Sequence, residues 1–374
     1  MKKLTLVSLI LILLSNVVLA QHFQKFTAKA IVLAVEDEVT EEEESSIDST
    51  TFERDVQMVK VRVTSGKYKG QTLLIQNEVS SSFLSNVDAK VNDKLIIDII
   101  EEEGYYQSAH ISDYQRDWYV YLLVAVFMLV LIELAHYDGL RAIGSLVVTL
   151  VLIYKVLLPL LIQGYNPVLL TGGIAVVVAF LVMLFKYKAS SETWSAIAGT
   201  IVGIAAATGL TLLGGKWINL TGLSADEVGV LSILINGELD FTGLLAAGII
   251  IGSLGAVMTT AMSVASTMKG IKDQNPQIHF KELFALGINK GRKLAGAMSN
   301  TLIMAYLGTS IPILLLFEAN RESFLKIINM DIIVGEIVRA IAGSIGLMIA
   351  IPVTALVMAL IEGSFVERDY YIEE

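Results

Sequence analysis

The sequence has no cysteine, few charged residues and no recognisable catalytic motif. Without cysteine the chain has no disulfide, no thiolate metal ligand and no cysteine nucleophile. It lacks a Walker phosphate loop and an HExxH zinc motif, and no nucleophile–base pair is evident. We therefore predict that the protein is not an enzyme and needs no cofactor.

Apolar residues are in large excess. Hydrophobic residues make up 54% of the 374 residues and charged residues 17%, whereas about 25% charge is ordinary in soluble domains. This excess is too large for one soluble core, so most of the chain is predicted to lie in a lipid bilayer.

The negative charge is concentrated in one segment. Residues 21–117 hold 19 acidic and 10 basic residues, whereas residues 118–374 hold 18 and 15. Phosphate binding requires the opposite sign, so no nucleic-acid partner is predicted.

The first 20 residues have the pattern of a secretory signal. Lys2 and Lys3 precede an apolar run, and the small residue Ala20 follows it. We predict a signal peptide over 1–20, with an uncleaved membrane anchor as the alternative. Either interpretation places the next domain outside the cytoplasm.

Residues 21–117 are predicted to form an exported β domain. Apolar and polar residues alternate over 27–35, 56–64, 71–76, 95–100 and 105–111, which is the pattern of half-buried strands. Five short strands predict a small all-β barrel resembling the OB fold.

An acidic stretch at residues 36–44 separates the first two predicted strands. Carboxylates bind hard cations such as calcium, but the spacing matches no known calcium loop. A solvated, self-repelling loop is the favoured prediction, and the question of a metal stays open.

Residues 118–362 are predicted to form a bundle of about seven transmembrane helices, each near the length that crosses a bilayer. A short tail, 363–374, follows them. The predicted spans are 118–136, 142–162, 166–185, 194–214, 240–263, 295–317 and 340–361.

Basic residues support an alternating topology with the C-terminus in the cytoplasm. Three lie in predicted outer loops: Lys216, Arg321 and Lys326. Ten lie in predicted inner segments: Arg141, Lys186, Lys188, Lys269, Lys272, Lys281, Lys290, Arg292, Lys293 and Arg368. The longest inner loop, about 264–294, is predicted to contain a short amphipathic helix near 280–288.

Lys155, Glu336 and Arg339 are charged residues that fall within or beside the predicted spans, where charge is costly and often functional. Glu336 and Arg339 are one helical turn apart and are expected to pair. Lys155 is expected at a similar depth, so Glu336 is also its predicted partner. Structural pairing and a transport role are both consistent with this pattern.

Uncharged polar residues form two further groups. Thr260 and Ser263 lie late in the fifth predicted span, and Asn300 and Thr301 lie early in the sixth. They are candidates to line a hydrated path, although interhelical hydrogen bonding explains them equally well.

The chain resembles the YibE/F-like family of bacterial multipass membrane proteins. The resemblance is carried by VLLP at 156–159 with Gly164 and Pro167, GAVM at 255–258, AMSVAS at 261–266, GR at 291–292 with Gly296, Met298 and NTLIMAY at 300–306, and EIVR at 336–339 with GSIGL at 343–347 and Pro352. Two positions depart from the family pattern. Thr259 and Lys293 stand where the family has acidic residues, which puts ion coupling there in doubt.

The combined features predict a plasma-membrane permease or channel-like protein for an ion or small solute. Its path would run between the last three spans, lined by the polar residues named above. The alternative is a non-transporting scaffold whose exported domain binds an envelope protein. The sequence leaves open whether the chain forms a homo-oligomer.

Overall fold

A computed structural model describes residues 23–43, 52–80, 87–102, 105–187, 189–222 and 240–363. The chain divides into two compact units, Met1–Val130 and Leu131–Glu374. The predicted signal peptide and nearly all of the predicted tail lie outside the described residues.

The first unit contains a five-stranded antiparallel sheet. Its strands are β1 (Phe23–Glu43), β2 (Phe52–Val63), β3 (Thr72–Ser80), β4 (Lys94–Glu102) and β5 (Tyr105–Tyr114), in the spatial order β3-β2-β1-β4-β5. The sheet curls into an open half-barrel, so that the edge strands β3 and β5 approach within 8 Å between Cα atoms. The predicted small β domain is therefore confirmed.

The concave face of the sheet forms an apolar core. Every second residue is buried, as in the series Val59, Val61 and Val63 and the series Leu95, Ile97 and Ile99. Because side chains alternate across a strand, this is the burial that the period of two predicted.

The acidic stretch is not a loop, contrary to the prediction. The backbone of residues 36–43 continues β1 and pairs with β2, from Glu36 opposite Met58 to Glu43 opposite Phe52. The register of β1 against β2 shifts at two places along β1, between residues Val32 and Ala34 and between residues Glu38 and Glu41. Main-chain hydrogen bonds do not depend on side-chain charge, so the acidic residues do not prevent strand formation.

Long apolar helices dominate the rest of the chain. They are α1 (Asp117–Leu152), a π-helical turn (Ile153–Leu157), α2 (Leu158–Ile162), α3 (Pro167–Tyr187), α4 (Ser191–Trp217), α5 (Phe241–Gln274), α6 (Phe280–Ala319), α7 (Phe324–Ile327) and α8 (Asp331–Glu362). Six helical segments in the described residues are long and apolar enough to cross a membrane. The chain is a multipass membrane protein.

The first of these six segments corresponds to two predicted spans. It covers Asp117–Ile162, 46 residues, or about 69 Å at 1.5 Å per residue, roughly twice the thickness of a hydrocarbon core. His136 breaks the helix with φ 47° and ψ −120°, near the end of the first predicted span. Counting the two sides of this break separately gives the predicted seven helices.

Helices α4, α5 and α8 form the centre of the bundle. α4 and α8 touch through glycines: a Cβ added at Gly203 would lie 2.6 Å from the Gly346 carbonyl oxygen, and one at Gly346 equally close to the Gly203 carbonyl oxygen. Gly199 packs in the same way against Thr354. The small residues at 199 and 203 thus allow the close backbone approach that their spacing predicts.

The long inner loop is much shorter than predicted. α5 continues to Gln274 and α6 begins at Phe280, so only five residues connect them. Residues 280–288 are helical, but they form the start of α6 rather than a separate helix. The His279 side chain accepts a hydrogen bond from the Lys281 amide and caps α6.

Candidate functional site

An ion pair on α8 lies within the apolar bundle. Arg339 Nη1 donates to Glu336 Oε1 at 2.7 Å, and both side chains are largely buried. The predicted pairing along one helical turn is therefore confirmed. Two buried atoms of the pair, Glu336 Oε2 and Arg339 Nε, have no hydrogen-bond partner among the described residues.

Tyr306 of α6 completes the polar cluster. The Arg339 guanidinium lies 5.8 Å from the centre of the Tyr306 ring, within range of a cation–π interaction. The Tyr306 hydroxyl contacts the position that a Cβ at Gly252 would occupy. One aromatic ring thus bridges α8 and α5, and Gly252 provides the space for it.

A cavity of about 330 Å³ lies beside this cluster. Its polar lining consists of Tyr306, Ser310 and Glu336. Its apolar lining comes from α6, α7, α8 and the segment between α7 and α8: Ile303, Leu307, Leu314, Phe324, Ile327, Ile328, Ile333, Ile337 and Ala340. An apolar cavity with a few convergent polar groups is the usual form of a small-molecule site.

A second cavity, of about 410 Å³, lies between α3, α4 and α5. Among the described residues that line it, the polar side chains are Thr200 and Thr208. Both hydroxyls donate to backbone carbonyls of their own helix, and no charged residue lines the cavity. It offers a solute no free polar group among its described lining residues.

The four uncharged candidates differ in their exposure. Asn300 and Thr301 are exposed on the outer face of α6, Thr260 is buried in α5, and Ser263 is half-buried. Neither cavity has any of the four in its described lining. A common path lined by all four stays a prediction.

Lys155 does not pair with Glu336, contrary to the prediction. Its side chain is exposed in the π-helical turn, where its Nζ lies 5.2 Å from the Tyr154 ring centre. Within the described chain Lys155 forms no ion pair, and Glu336 pairs with Arg339 instead. A partner three residues away on the same helix is available without any tertiary contact.

A polar network joins one end of the three central helices. Glu362 of α8 accepts from Ser191 of α4 at 2.5 Å and from Lys269 of α5 at 3.1 Å. Lys269 also pairs with Asp273 at 3.2 Å. These contacts hold the ends of α4, α5 and α8 together. No charge-pattern argument within a single span predicts them, since they connect three helices.

The β domain contains a buried carboxylate. Glu101 of β4 is only 2% exposed, and Lys67 Nζ donates to both of its oxygens at 2.8 Å. Hydrogen bonds from Lys67 and Tyr68 hold the pKa of Glu101 below its ordinary value of 4.5. The same contacts raise the pKa of Lys67 and of Tyr68. The pair stabilises the β2–β3 turn against the sheet, which is a structural role.

Family comparison agrees with the fold. The profile of the YibE/F-like protein family matches residues 123–363, and that of the YibE/F family N-terminal domain matches residues 23–114. The chain belongs to the YibE/F-like family. No curated protein and no solved structure matches it.

The resemblance led us to expect acidic residues at two positions of this YibE/F-like chain, which hold Thr259 and Lys293 instead. Thr259 and Lys293 are both exposed, and the Thr259 hydroxyl donates to the Gly255 carbonyl oxygen at 2.8 Å. Neither lines the cavity beside Glu336. Among the described residues no group of three or more His, Asp or Glu side chains is arranged to hold a metal ion.

Sequence reasoning missed two residues of the site in this YibE/F-like protein. Tyr306 and Ser310 are four residues apart, so they lie on one face of α6 together with the buried Leu302. That spacing was available in the sequence. The contact of Tyr306 with Arg339 was not, because it depends on how α6 packs against α8.

Proposed function

We propose that the protein is a permease for a small organic solute, which binds in the cavity between α6, α7 and α8. The observation that carries the proposal is the Glu336–Arg339 pair in the apolar bundle with one unpartnered atom on each side chain. Buried polar atoms are nearly always hydrogen-bonded. Glu336 also lines the cavity, so a solute with a hydrogen-bond donor would bind at its carboxylate, which Arg339 holds in place.

The composition of the cavity favours an organic solute over a bare inorganic ion. Arg339 already neutralises the one carboxylate in the lining, and an inorganic cation needs several oxygen ligands. Nine of the twelve lining residues are apolar, so an apolar body is accommodated. A volume of about 330 Å³ lies in the range of small-molecule sites.

The proposed setting is a bacterial plasma membrane with the β domain outside and the C-terminus in the cytoplasm. Support comes from the excess of Lys and Arg in the predicted inner segments. In this orientation the cavity, near the start of α8, would lie toward the outer surface. Solute would then enter from the outer side of the membrane.

Uptake by proteoliposomes tests the proposal. The purified full-length chain would be assayed with small organic cations, zwitterions and anions, and with inorganic cations and protons. We expect uptake of at least one organic solute. Glu336→Gln and Arg339→Gln should each reduce this uptake at least tenfold, because each leaves a buried polar group unpaired.

Glu318→Gln is the matched control. Glu318 is an exposed carboxylate near the end of α6 and lies outside the cavity lining, so its uptake should equal that of the wild type. Melting temperatures would show that each variant is folded. If the wild type transports nothing tested, or if Glu336→Gln is folded and fully active, the proposal is wrong and the scaffold alternative gains support.

A further inference from the structure

The outward face of α6 carries a continuous exposed stripe. Its residues follow one another at intervals of four and three, so they lie along one side of the helix. We call them the α6 stripe: Lys293, Ala297, Asn300, Met304, Leu307 and Ile311. All six are exposed, and the three last are large apolar side chains.

The polarity of the α6 stripe changes in one direction. The cationic Lys293 lies at one end, the small Ala297 and the amide of Asn300 follow, and the remaining three side chains are apolar. Lys293 and Asn300 are seven residues apart, about 10 Å along the helix. A phospholipid has the same order: charged phosphate, ester carbonyls and then acyl chains.

The basic end of the stripe is not neutralised by neighbouring acids. Lys290 and Arg292 flank Lys293, and residues 283–317 contain no Asp or Glu. None of these three basic side chains forms an ion pair with any residue that the structure describes. The cluster is therefore complementary to an anion.

Asn300 supplies a polar group between the basic residues and the apolar end of the α6 stripe. Its side chain is exposed and has no hydrogen bond within the described part of the chain. Neighbouring Thr301 is different, because its hydroxyl donates to the Ala297 carbonyl oxygen at 2.9 Å. An amide facing hydrocarbon without a partner is costly, whereas an ester carbonyl would accept its N–H.

We propose that the α6 stripe binds an anionic phospholipid. Arg292 and Lys293 hold the phosphate, Asn300 donates to an ester carbonyl, and an acyl chain lies along Met304 and Ile311, whereas Leu307 borders the cavity beside Glu336. The lipid comes from the leaflet that meets the N-terminal part of α6. This inference does not depend on the proposed transport activity.

The same stripe is less suited to a second copy of the chain. Two α6 helices related by a two-fold axis along the membrane normal would run parallel and bring their basic clusters together. Such a contact places like charges opposite one another, which is destabilising. An anionic lipid meets the same cluster with opposite charge.

Native mass spectrometry of the delipidated full-length protein in detergent measures the first part of the proposal. Phosphatidylglycerol and phosphatidylcholine with the same acyl chains would be titrated in parallel. We expect tighter binding of phosphatidylglycerol, and a loss of about fivefold in its affinity for each basic residue removed in Arg292→Gln and Arg292→Gln/Lys293→Gln. Lys216→Gln removes an exposed lysine at the end of α4 and should leave the affinity unchanged.

Ester-linked and ether-linked phosphatidylglycerol test the role of Asn300. Asn300→Ala should weaken binding of the ester-linked lipid roughly two- to fivefold and leave the ether-linked lipid, which has no carbonyl, unaffected. All of these positions are exposed, so the variants are expected to fold, and their melting temperatures would confirm it.

Three results would overturn the proposal. The first is equal affinity for the two headgroups, and the second is an equal loss in Lys216→Gln. The third is a dimer whose population rises in Arg292→Gln/Lys293→Gln, since relief of like-charge repulsion would identify the stripe as a contact between two copies.

Discussion

The central helices α4, α5 and α8 differ sharply from the peripheral helices α1 and α6. In the most apolar 18-residue stretch of each central helix, about half of the residues are buried: 44% in α4, 56% in α5 and 50% in α8. The corresponding share is 11% in the segment that begins with α1 and 17% in α6. The segment containing α1 is nevertheless more apolar than α5. Apolarity therefore places a helix in the membrane but does not decide which helices pack together.

The difference follows from how helices associate in lipid. There is no hydrophobic force between them, so close backbone approach and polar contacts decide the packing. The central helices have glycines at their contacts, as at Gly203 and Gly346. On α6, Gly296 and Gly308 have no atom within 4 Å of an added Cβ, so these glycines face open space within the described structure.

The largest expected effect compares one glycine from each region. Gly203→Ala should destabilise the protein by about 2 to 3 kcal/mol, because the new methyl group would overlap the Gly346 carbonyl and the Ala350 side chain. Gly296→Ala should change stability by less than about 0.5 kcal/mol. Unfolding by SDS titration, followed by tryptophan fluorescence, measures both. Equal losses of stability in Gly203→Ala and Gly296→Ala would contradict the difference between central and peripheral helices.

A smaller effect is expected at the polar network of the central helices. Glu362→Gln removes the ion pair with Lys269 but keeps an oxygen for Ser191, and Lys269 retains Asp273. We expect a loss of about 1 kcal/mol in the same unfolding assay. Glu318→Gln replaces a carboxylate on peripheral α6 and should not change stability measurably. A loss of stability in Glu318→Gln as large as that in Glu362→Gln would contradict the difference between central and peripheral helices.

The β domain extends the comparison to an ion pair in which Glu101 is buried and Lys67 is exposed. The lowered pKa of Glu101 means that its contribution to stability is complete above pH 4.5 and is lost as pH falls through the lowered value. The raised pKa of Lys67 means that its contribution is complete below pH 10.5 and is lost as pH rises through the raised value. Between pH 4.5 and pH 10.5 the contribution of this pair to stability should not change with pH.

Hydrogen exchange of β4 in the full-length protein, after incubation across the pH range, measures this dependence. Lys67→Gln removes the first cause of the lowered pKa, so the acid-induced loss of protection should move to higher pH, toward 4.5. Protection that falls at the same pH in both proteins would show that another carboxylate controls the transition.

The smallest effect is expected at Lys155 of the peripheral π-helical turn. Lys155→Gln removes only a surface cation and its contact with Tyr154, so stability should change by less than about 0.5 kcal/mol. SDS titration again provides the measurement. A loss above about 2 kcal/mol would indicate an ion pair that the described structure does not contain.

Local patterns predicted the elements well. The period of two located all five strands, and long apolar runs located the helices. Glu336 and Arg339 were predicted to pair because the spacing along one helix is fixed. The acidic end of β1 was missed, since charge repulsion argued for a loop whereas backbone pairing with β2 maintains the strand.

Contacts between helices could not be predicted from the sequence. Lys155 and Glu336 were paired by similar depth alone, but depth does not say which faces meet. The same limit applies to Asn300 and Thr301, which lie on the outward face of α6, and to Tyr306, which lies on the inward one. Facing depends on the crossing of neighbouring helices.

The length of α6 has a consequence for where the protein can reside. Between Lys293 and Glu318 the helix has 24 uncharged residues, about 36 Å, whereas a typical hydrocarbon core is about 30 Å thick. This mismatch is relieved when α6 tilts or when the bilayer thickens around it. Because only 17% of its most apolar 18 residues are buried, the tilt of α6 is expected to follow bilayer thickness, and thicker membranes should accommodate the protein with the least distortion.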